Sequence, residues 1–155
     1  MLLETGRATA RLLVSAALVA GCGGSDDPTR PSTDLSVGGT YDTSVTLTQN
    51  TCGTITVQKN PTSVTHTPGA TTLTVTHVGN GYSGTVQRNG SFSTTAKAVV
   101  AGAETHTLTI TGTFTTTAID ATVAAVVQRA GAANCEYTVK WAGPKQGAPN
   151  VIPGT

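Results

Sequence analysis

Thr71-Thr72-Leu73-Thr74-Val75-Thr76-His77-Val78-Gly79-Asn80-Gly81-Tyr82-Ser83-Gly84-Thr85-Val86-Gln87-Arg88-Asn89-Gly90 is the stretch that decides the fold. From 71 to 78, Leu73, Val75 and His77 alternate with Thr72, Thr74 and Thr76, the period of two expected of a strand with one wet face. Asn80-Gly81 and Asn89-Gly90 then predict two tight hairpins, because a type I′ turn needs positive φ at both central positions and these residues tolerate it. Between them Tyr82, Gly84 and Val86 share one face. Two hairpins joined through a common strand are the seed of an antiparallel meander.

The same pattern runs outward in both directions. Tyr41, Thr43, Val45 and Leu47 alternate with Asp42, Ser44, Thr46 and Thr48. Ile55 and Val57 begin a second strand, which Pro61 interrupts because proline cannot donate to a ladder, and which resumes through Val64 and His66. Residues 92–99, 105–114, 116–127 and 135–142 supply four more strands, with Leu108, Ile110 and Gly112 alternating with threonines along one of them. The expected fold class is all-β, a single antiparallel meander closing into a small barrel of about eight strands, since an open meander would leave two long edges for pairing with other chains. The alternative is a β-sandwich of immunoglobulin type. Such domains place a tryptophan between their cysteines in sequence, whereas Trp141 follows both Cys52 and Cys135.

Composition supports sheet and narrows the partners. Threonine makes up about a fifth of the chain, and its β-branched, hydroxylated side chain suits a strand face turned to water. Only 11% of the residues are charged. Of nine basic and eight acidic residues, Arg7, Arg11 and Glu4 fall in the first 21, so the remainder holds seven of each and no net charge. Nucleic acid is therefore not an expected partner. The remaining basic residues are scattered singly, which leaves no polybasic patch for anionic lipid.

Membrane attachment is expected from another source. Arg7 and Arg11 precede the apolar run Leu12 to Ala20, too short to span a bilayer but suited to the core of an export signal. Its end, Leu18-Val19-Ala20-Gly21-Cys22, resembles the lipobox of bacterial lipoproteins, with Val19 where leucine is commonest. That resemblance implies cleavage before Cys22 and acylation of that cysteine, two or three chains being what stable anchoring requires. Gly23 stands where an aspartate would resemble an inner-membrane retention signal, so the expected location is the cell envelope, at the outer membrane. The expected organisation is a signal peptide over 1–21, a lipidated cysteine and flexible tether over 22–37, the barrel over 38–142 and a frayed tail over 143–155, where three prolines lie among glycines.

Cys52 lies just past the first strand and Cys135 at the start of the last. If those strands pair, both cysteines fall at one end of the barrel, and an exported chain would join them in a disulfide. Two free buried thiols are the alternative. Gly39-Thr40-Tyr41 also resembles the glycine and aromatic that open a lipocalin, and the eight-strand meander is similar to the barrels of lipocalins and avidins. The lipocalin pattern has tryptophan where Tyr41 stands, and its later motifs are absent, so no binding residues carry over.

No catalytic motif presents itself. Gly81-Tyr82-Ser83-Gly84-Thr85 misses a hydrolase elbow by its last residue, and no Cys-x-x-Cys or His-Glu-x-x-His occurs. His66, His77 and His106 read as ordinary strand residues rather than metal ligands, and the carboxylates Asp42, Glu104, Asp120 and Glu136 are isolated. Neither an enzyme nor a cofactor is expected. The six aromatics Tyr41, Tyr82, Phe92, Phe114, Tyr137 and Trp141 all fall by parity on the apolar side of their strands, beside small residues at Ala96, Ala98, Ala121 and Ala125. A core explains the aromatics, yet an eight-stranded barrel can also hold one small ligand. The sequence thus leaves two readings, a tethered barrel that binds a small hydrophobic molecule or envelope partner, and a structural lipoprotein with a filled core.

Overall fold

A computed structural model describes residues 33–153 of the chain; Cys22 and the segment expected to be an export signal lie outside them. The alternation of threonine with apolar side chains folds into ten ladder segments: β1 (Gly39–Tyr41), β2 (Ser44–Asn50), β3 (Thr62–His66), β4 (Thr72–His77), β5 (Asn80–Val86), β6 (Ser91–Thr94), β7 (Lys97–Ala101), β8 (Glu104–Phe114), β9 (Ala118–Arg129) and β10 (Cys135–Pro144). Two pairs, β1 with β2 and β6 with β7, are single strands broken at a corner. Eight strands therefore run up and down in one antiparallel sheet, ordered β1-β3-β4-β5-β6-β8-β9-β10-β2, with β7 also on β8. This is the meander expected from the sequence, and the sandwich alternative falls.

The bent first strand closes the ring. Tyr41 pairs with Thr62 of β3 on one side and with Lys145, just past β10, on the other. Asp42 N–H donates to the Pro144 carbonyl (2.9 Å), and Gln146 N–H to that of Thr40 (2.8 Å). From Ser44 onward the strand pairs with β10 alone, Val45 facing Trp141. The two backbones cross so closely that a Cβ added to Gly143 would lie 2.0 Å from the Asp42 carbonyl oxygen, so only glycine fits there.

Both hairpins form, but by other turns than the two Asn-Gly pairs predict. His77 pairs with Asn80, so the central residues of the first turn are Val78 and Gly79, at φ 48° and 73°. A β-branched residue rarely tolerates such a φ. Asn80 instead opens β5 and donates its side-chain N–H to the Val78 carbonyl (3.3 Å). In the second hairpin only Gly90 has positive φ, while the Asn89 Oδ1 accepts from Ser91 N–H (3.0 Å).

The parity reading fails across the corner of the fifth strand. Ser93 pairs with Thr111 and Lys97 with Leu108, four steps on one strand against three on the other. That one-residue bulge turns every later side chain to the opposite face. Ala96 and Ala98 are consequently exposed, and Val99 packs inward. Ala121 and Ala125 face the interior as expected. The extended run 54–61 forms no ladder, so the second strand begins only at Thr62, after Pro61.

One end of the barrel is filled by aromatic and aliphatic side chains. Phe114 stacks on Phe92 (4.6 Å between ring centroids) and lies 5.6 Å from Tyr41, among Val37, Ile110, Ile119 and Ile152. Here the tether and tail boundaries need correction. Leu35 and Val37 are buried, Ser36 pairs with Val151, and Ile152 is buried with them, so 35–37 and 150–152 together plug this end. The Tyr41 hydroxyl donates to the Val37 carbonyl (2.7 Å) and lies 2.9 Å from Asn150 Oδ1, while Asn150 Nδ2 donates to Thr115 O (2.7 Å). These apolar residues stand singly among prolines and glycines, without a period to announce them. At the opposite end Cys52 and Cys135 form the expected disulfide, with Cα atoms 5.0 Å apart.

Candidate functional site

The disulfide end of the barrel is not filled. A cavity of about 390 Å³ opens there, floored by Val123, Val139 and Trp141 of β9 and β10 and walled by Leu108, Tyr82 and Val45. Ile55 and Val57, from the loop that follows Cys52, form its near side. None of the lining residues carries a formal charge at neutral pH. The opening arises where the meander is incompletely zipped. β5 pairs with β6 only from Gly84 to Val86, and β7 diverges to pair with β8 alone, which leaves Asn80 and Gly81 without a ladder partner on that side. The Lys97 ammonium spans the gap instead, donating to the Gly81 carbonyl (2.7 Å) and lying 5.5 Å from the Tyr82 ring centroid.

Of the polar side chains in the lining, Tyr82 and His77 are buried while Tyr137 is half-buried; His77 is 9% exposed, with its ring 4.2 Å from that of Trp141. Its Nδ1 lies 3.0 Å from the Thr62 hydroxyl, which lies 2.9 Å from that of Thr43, which donates to the Asn60 carbonyl (2.9 Å). Both threonines are fully buried. Burial lowers the His77 pKa from its ordinary value, because a charged imidazolium is poorly solvated there. The ring is accordingly neutral at physiological pH.

A second polar chain lies along the rim. The Tyr137 hydroxyl is 3.3 Å from His106 Nδ1, His106 Nε2 is 3.1 Å from Glu104 Oε2, and Arg129 Nε donates to Glu104 Oε1 (2.6 Å). Arg129 also donates to the Cys52 carbonyl (3.3 Å), which ties the network to the disulfide. The Arg129 hydrogen bond is the chief cause holding the Glu104 carboxyl below the usual range. Burial pushes the phenols of Tyr82 and Tyr137 upward, so neither is an activated nucleophile or base.

The six aromatics expected to line a ligand site divide between the two ends. Tyr82, Tyr137 and Trp141 face the cavity, whereas Tyr41, Phe92 and Phe114 belong to the packed end. Parity along a strand assigns a face but not a depth, and depth separates the two sets. The histidines stand apart: His66 sits by Ala70, its Nε2 2.9 Å from that carbonyl, away from the mouth. Among the described residues no group of three or more His, Cys, Asp or Glu is placed to hold a metal ion. Sequence reasoning missed His77 as a cavity residue, although its inward parity with Leu73 and Val75 was legible, and missed the cavity wall formed by Ile55 and Val57, read there as strand. Comparison with protein-family models, with curated proteins and with solved structures finds no match, so the site is read from its own geometry.

Proposed function

We propose that this chain is a bacterial envelope lipoprotein, anchored through Cys22, whose barrel is a non-enzymatic module that holds a small hydrophobic ligand in its mouth. The observation that carries the reading is the uncharged cavity of about 390 Å³ beside Trp141, within the usual size range of small-molecule sites. It has room for on the order of a dozen heavy atoms, taking the ~30 Å³ that one water occupies in the liquid. A filled barrel, as a purely structural lipoprotein would have, needs no such hollow. The lipobox-like Leu18-Val19-Ala20-Gly21-Cys22 supports the anchor, and the balanced charge of the rest supports lipid over electrostatics as its source.

Trp141 is the only tryptophan, so its emission reports on the cavity directly. Titration with the neutral dye 1-naphthylamine, which is of the size the cavity admits, should quench Trp141 and brighten the dye, and Leu108→Trp, which fills the cavity, should abolish the dye's response. Absence of binding to the wild-type chain, or unchanged binding to the filled variant, overturns the ligand reading. For the anchor, Cys22→Ser should release the protein from membranes of its host, and retention would overturn it.

A further inference from the structure

The hydrogens of the buried chain behind His77 can be placed by elimination, and they determine what the cavity offers a ligand. The Asn60 carbonyl can only accept, so the single hydroxyl proton of Thr43 is spent on it. Thr43 must then accept from Thr62 across their 2.9 Å contact, which spends the Thr62 proton. Thr62 is left as an acceptor toward His77, so His77 Nδ1 carries the ring hydrogen. A neutral imidazole has one N–H, and Nε2 is therefore a bare lone pair.

Among the described residues that lone pair has no partner. The Thr62 contact is the only hydrogen bond of the His77 ring, and among the described residues no fully buried side-chain nitrogen or oxygen lacks a partner. Nε2 must then be reached from the cavity that His77 lines. The residue is nine-tenths buried, its ring tilted 30° to that of Trp141 at 4.2 Å and bonded to Thr62, so the acceptor is fixed in place. Thr56 and Gln58, also in the lining, are exposed at the rim.

We infer that the mouth cavity selects a neutral amphiphile, an apolar body carrying one hydroxyl or N–H group that donates to His77 Nε2. The inference rests on the proposed ligand-binding role and adds the chemistry of the ligand's polar end. An apolar molecule without a donor leaves the Nε2 lone pair desolvated and unpaired, which is the usual basis of strong discrimination by a dry polar site. A carboxylate or phosphate head beside His77 Nε2 meets a lone pair, and although Tyr82, Tyr137 and Trp141 offer neutral donors, no lining residue among those described supplies a countercharge. Val45, Leu108, Val123 and Val139 receive the apolar body.

The test compares molecules of one size. Decanol, methyl nonyl ether and decanoate are each titrated into the disulfide-bonded protein at pH 7.5, with Trp141 emission as the readout. Decanol is expected to bind about five- to tenfold more tightly than the ether, the worth of one neutral hydrogen bond in a dry site, and decanoate more weakly than either. In His77→Phe, which keeps a flat ring on Trp141, the alcohol and the ether should bind within about twofold of each other. Long-range nitrogen–proton correlation spectra of the wild-type imidazole give an independent readout, expected to show protonated Nδ1 and bare Nε2, with only Nε2 moving when decanol is added. Equal binding of alcohol and ether to the wild-type protein, or an Nε2-protonated ring, overturns donor selection and leaves the cavity reading standing. No binding of any of the three defeats both.

Discussion

Replacing both Cys52 and Cys135 by alanine removes a crosslink that closes a loop of 83 residues in sequence separation. In the chain-entropy account, a loop of that length withdraws enough freedom from the unfolded chain to stabilise the native state by about 4.5 kcal/mol. Small domains lose roughly 2 kcal/mol of stability per molar urea, so the unfolding midpoint should fall by about 2 M. Trp141 emission follows the transition, because the side chain is buried in the fold and exposed in the unfolded chain. The perturbation also reaches the site. Cys52 anchors the loop whose Ile55 and Val57 wall the cavity, and its carbonyl accepts from Arg129. The variant should therefore lose affinity for an apolar dye even where it remains folded. A midpoint shift under about 0.5 M would refute the claim that this crosslink stabilises the barrel, and a normal melt with unchanged dye affinity would refute the link between the disulfide and the cavity wall.

Other consequences are as specific. Val78 stands at φ 48°, where a β-branched side chain is strained, so Val78→Asn should raise stability by about 1 kcal/mol in urea melts, and a loss of stability would contradict the turn assignment. Ile152→Ala should cost about 2 to 4 kcal/mol if the C-terminal segment plugs the barrel, whereas a frayed tail would leave the melt unchanged. Burial pushes the Tyr41 phenol up to about 12. Between its ordinary value near 10 and that value the unfolded chain loses a proton that the folded one keeps, so stability held below pH 10 should drain away as pH rises to 12, and the drop should shrink in Tyr41→Phe. On the acid side, His77 has a lowered folded pKa. Its contribution is present above about pH 6.5 and is lost as pH falls toward the folded value, because the unfolded chain takes up a proton that the folded one refuses. His77→Phe should flatten that stretch of the stability-against-pH curve, and an unchanged slope would show that another group is responsible.

The strand order and the disulfide were legible because their signals are local and repeated. Period-two alternation of threonine with Leu73, Val75, Leu108 and Ile110 fixes faces, and the need to remove two sheet edges points to closure. The positions of Cys52 and Cys135 then fall at one end of any such barrel. What escaped reading lacks a period. Leu35, Val37 and Ile152 are single apolar residues whose burial depends on a barrel end that exists only once the meander has closed. The one-residue bulge between Thr94 and Lys97 inverts the faces of Ala96 and Ala98 without any glycine or proline to mark it. Val78 and Gly79 took the turn in place of Asn80-Gly81, since the inward set Leu73, Val75, His77 must face Tyr82 and Gly84 across the hairpin in a register that places them there. Of the site, Tyr82, Tyr137 and Trp141 could be assigned a side by parity, but whether they bound a hollow or a core depended on where the sheet fails to zip. That failure follows from β7 leaving β5 for β8 alone.

Occupancy of the barrel mouth in the cell separates a binding module from a filled structural protein. Native mass spectrometry of the protein purified from its own host measures this in one spectrum. The expected spectrum shows a chain beginning at Cys22 with its acyl mass and, released on activation, a neutral molecule of on the order of a dozen heavy atoms bearing a hydroxyl or N–H group. A barrel that arrives with no bound molecule, and whose Trp141 emission then responds to none of the amphiphiles offered, would contradict the binding-module reading.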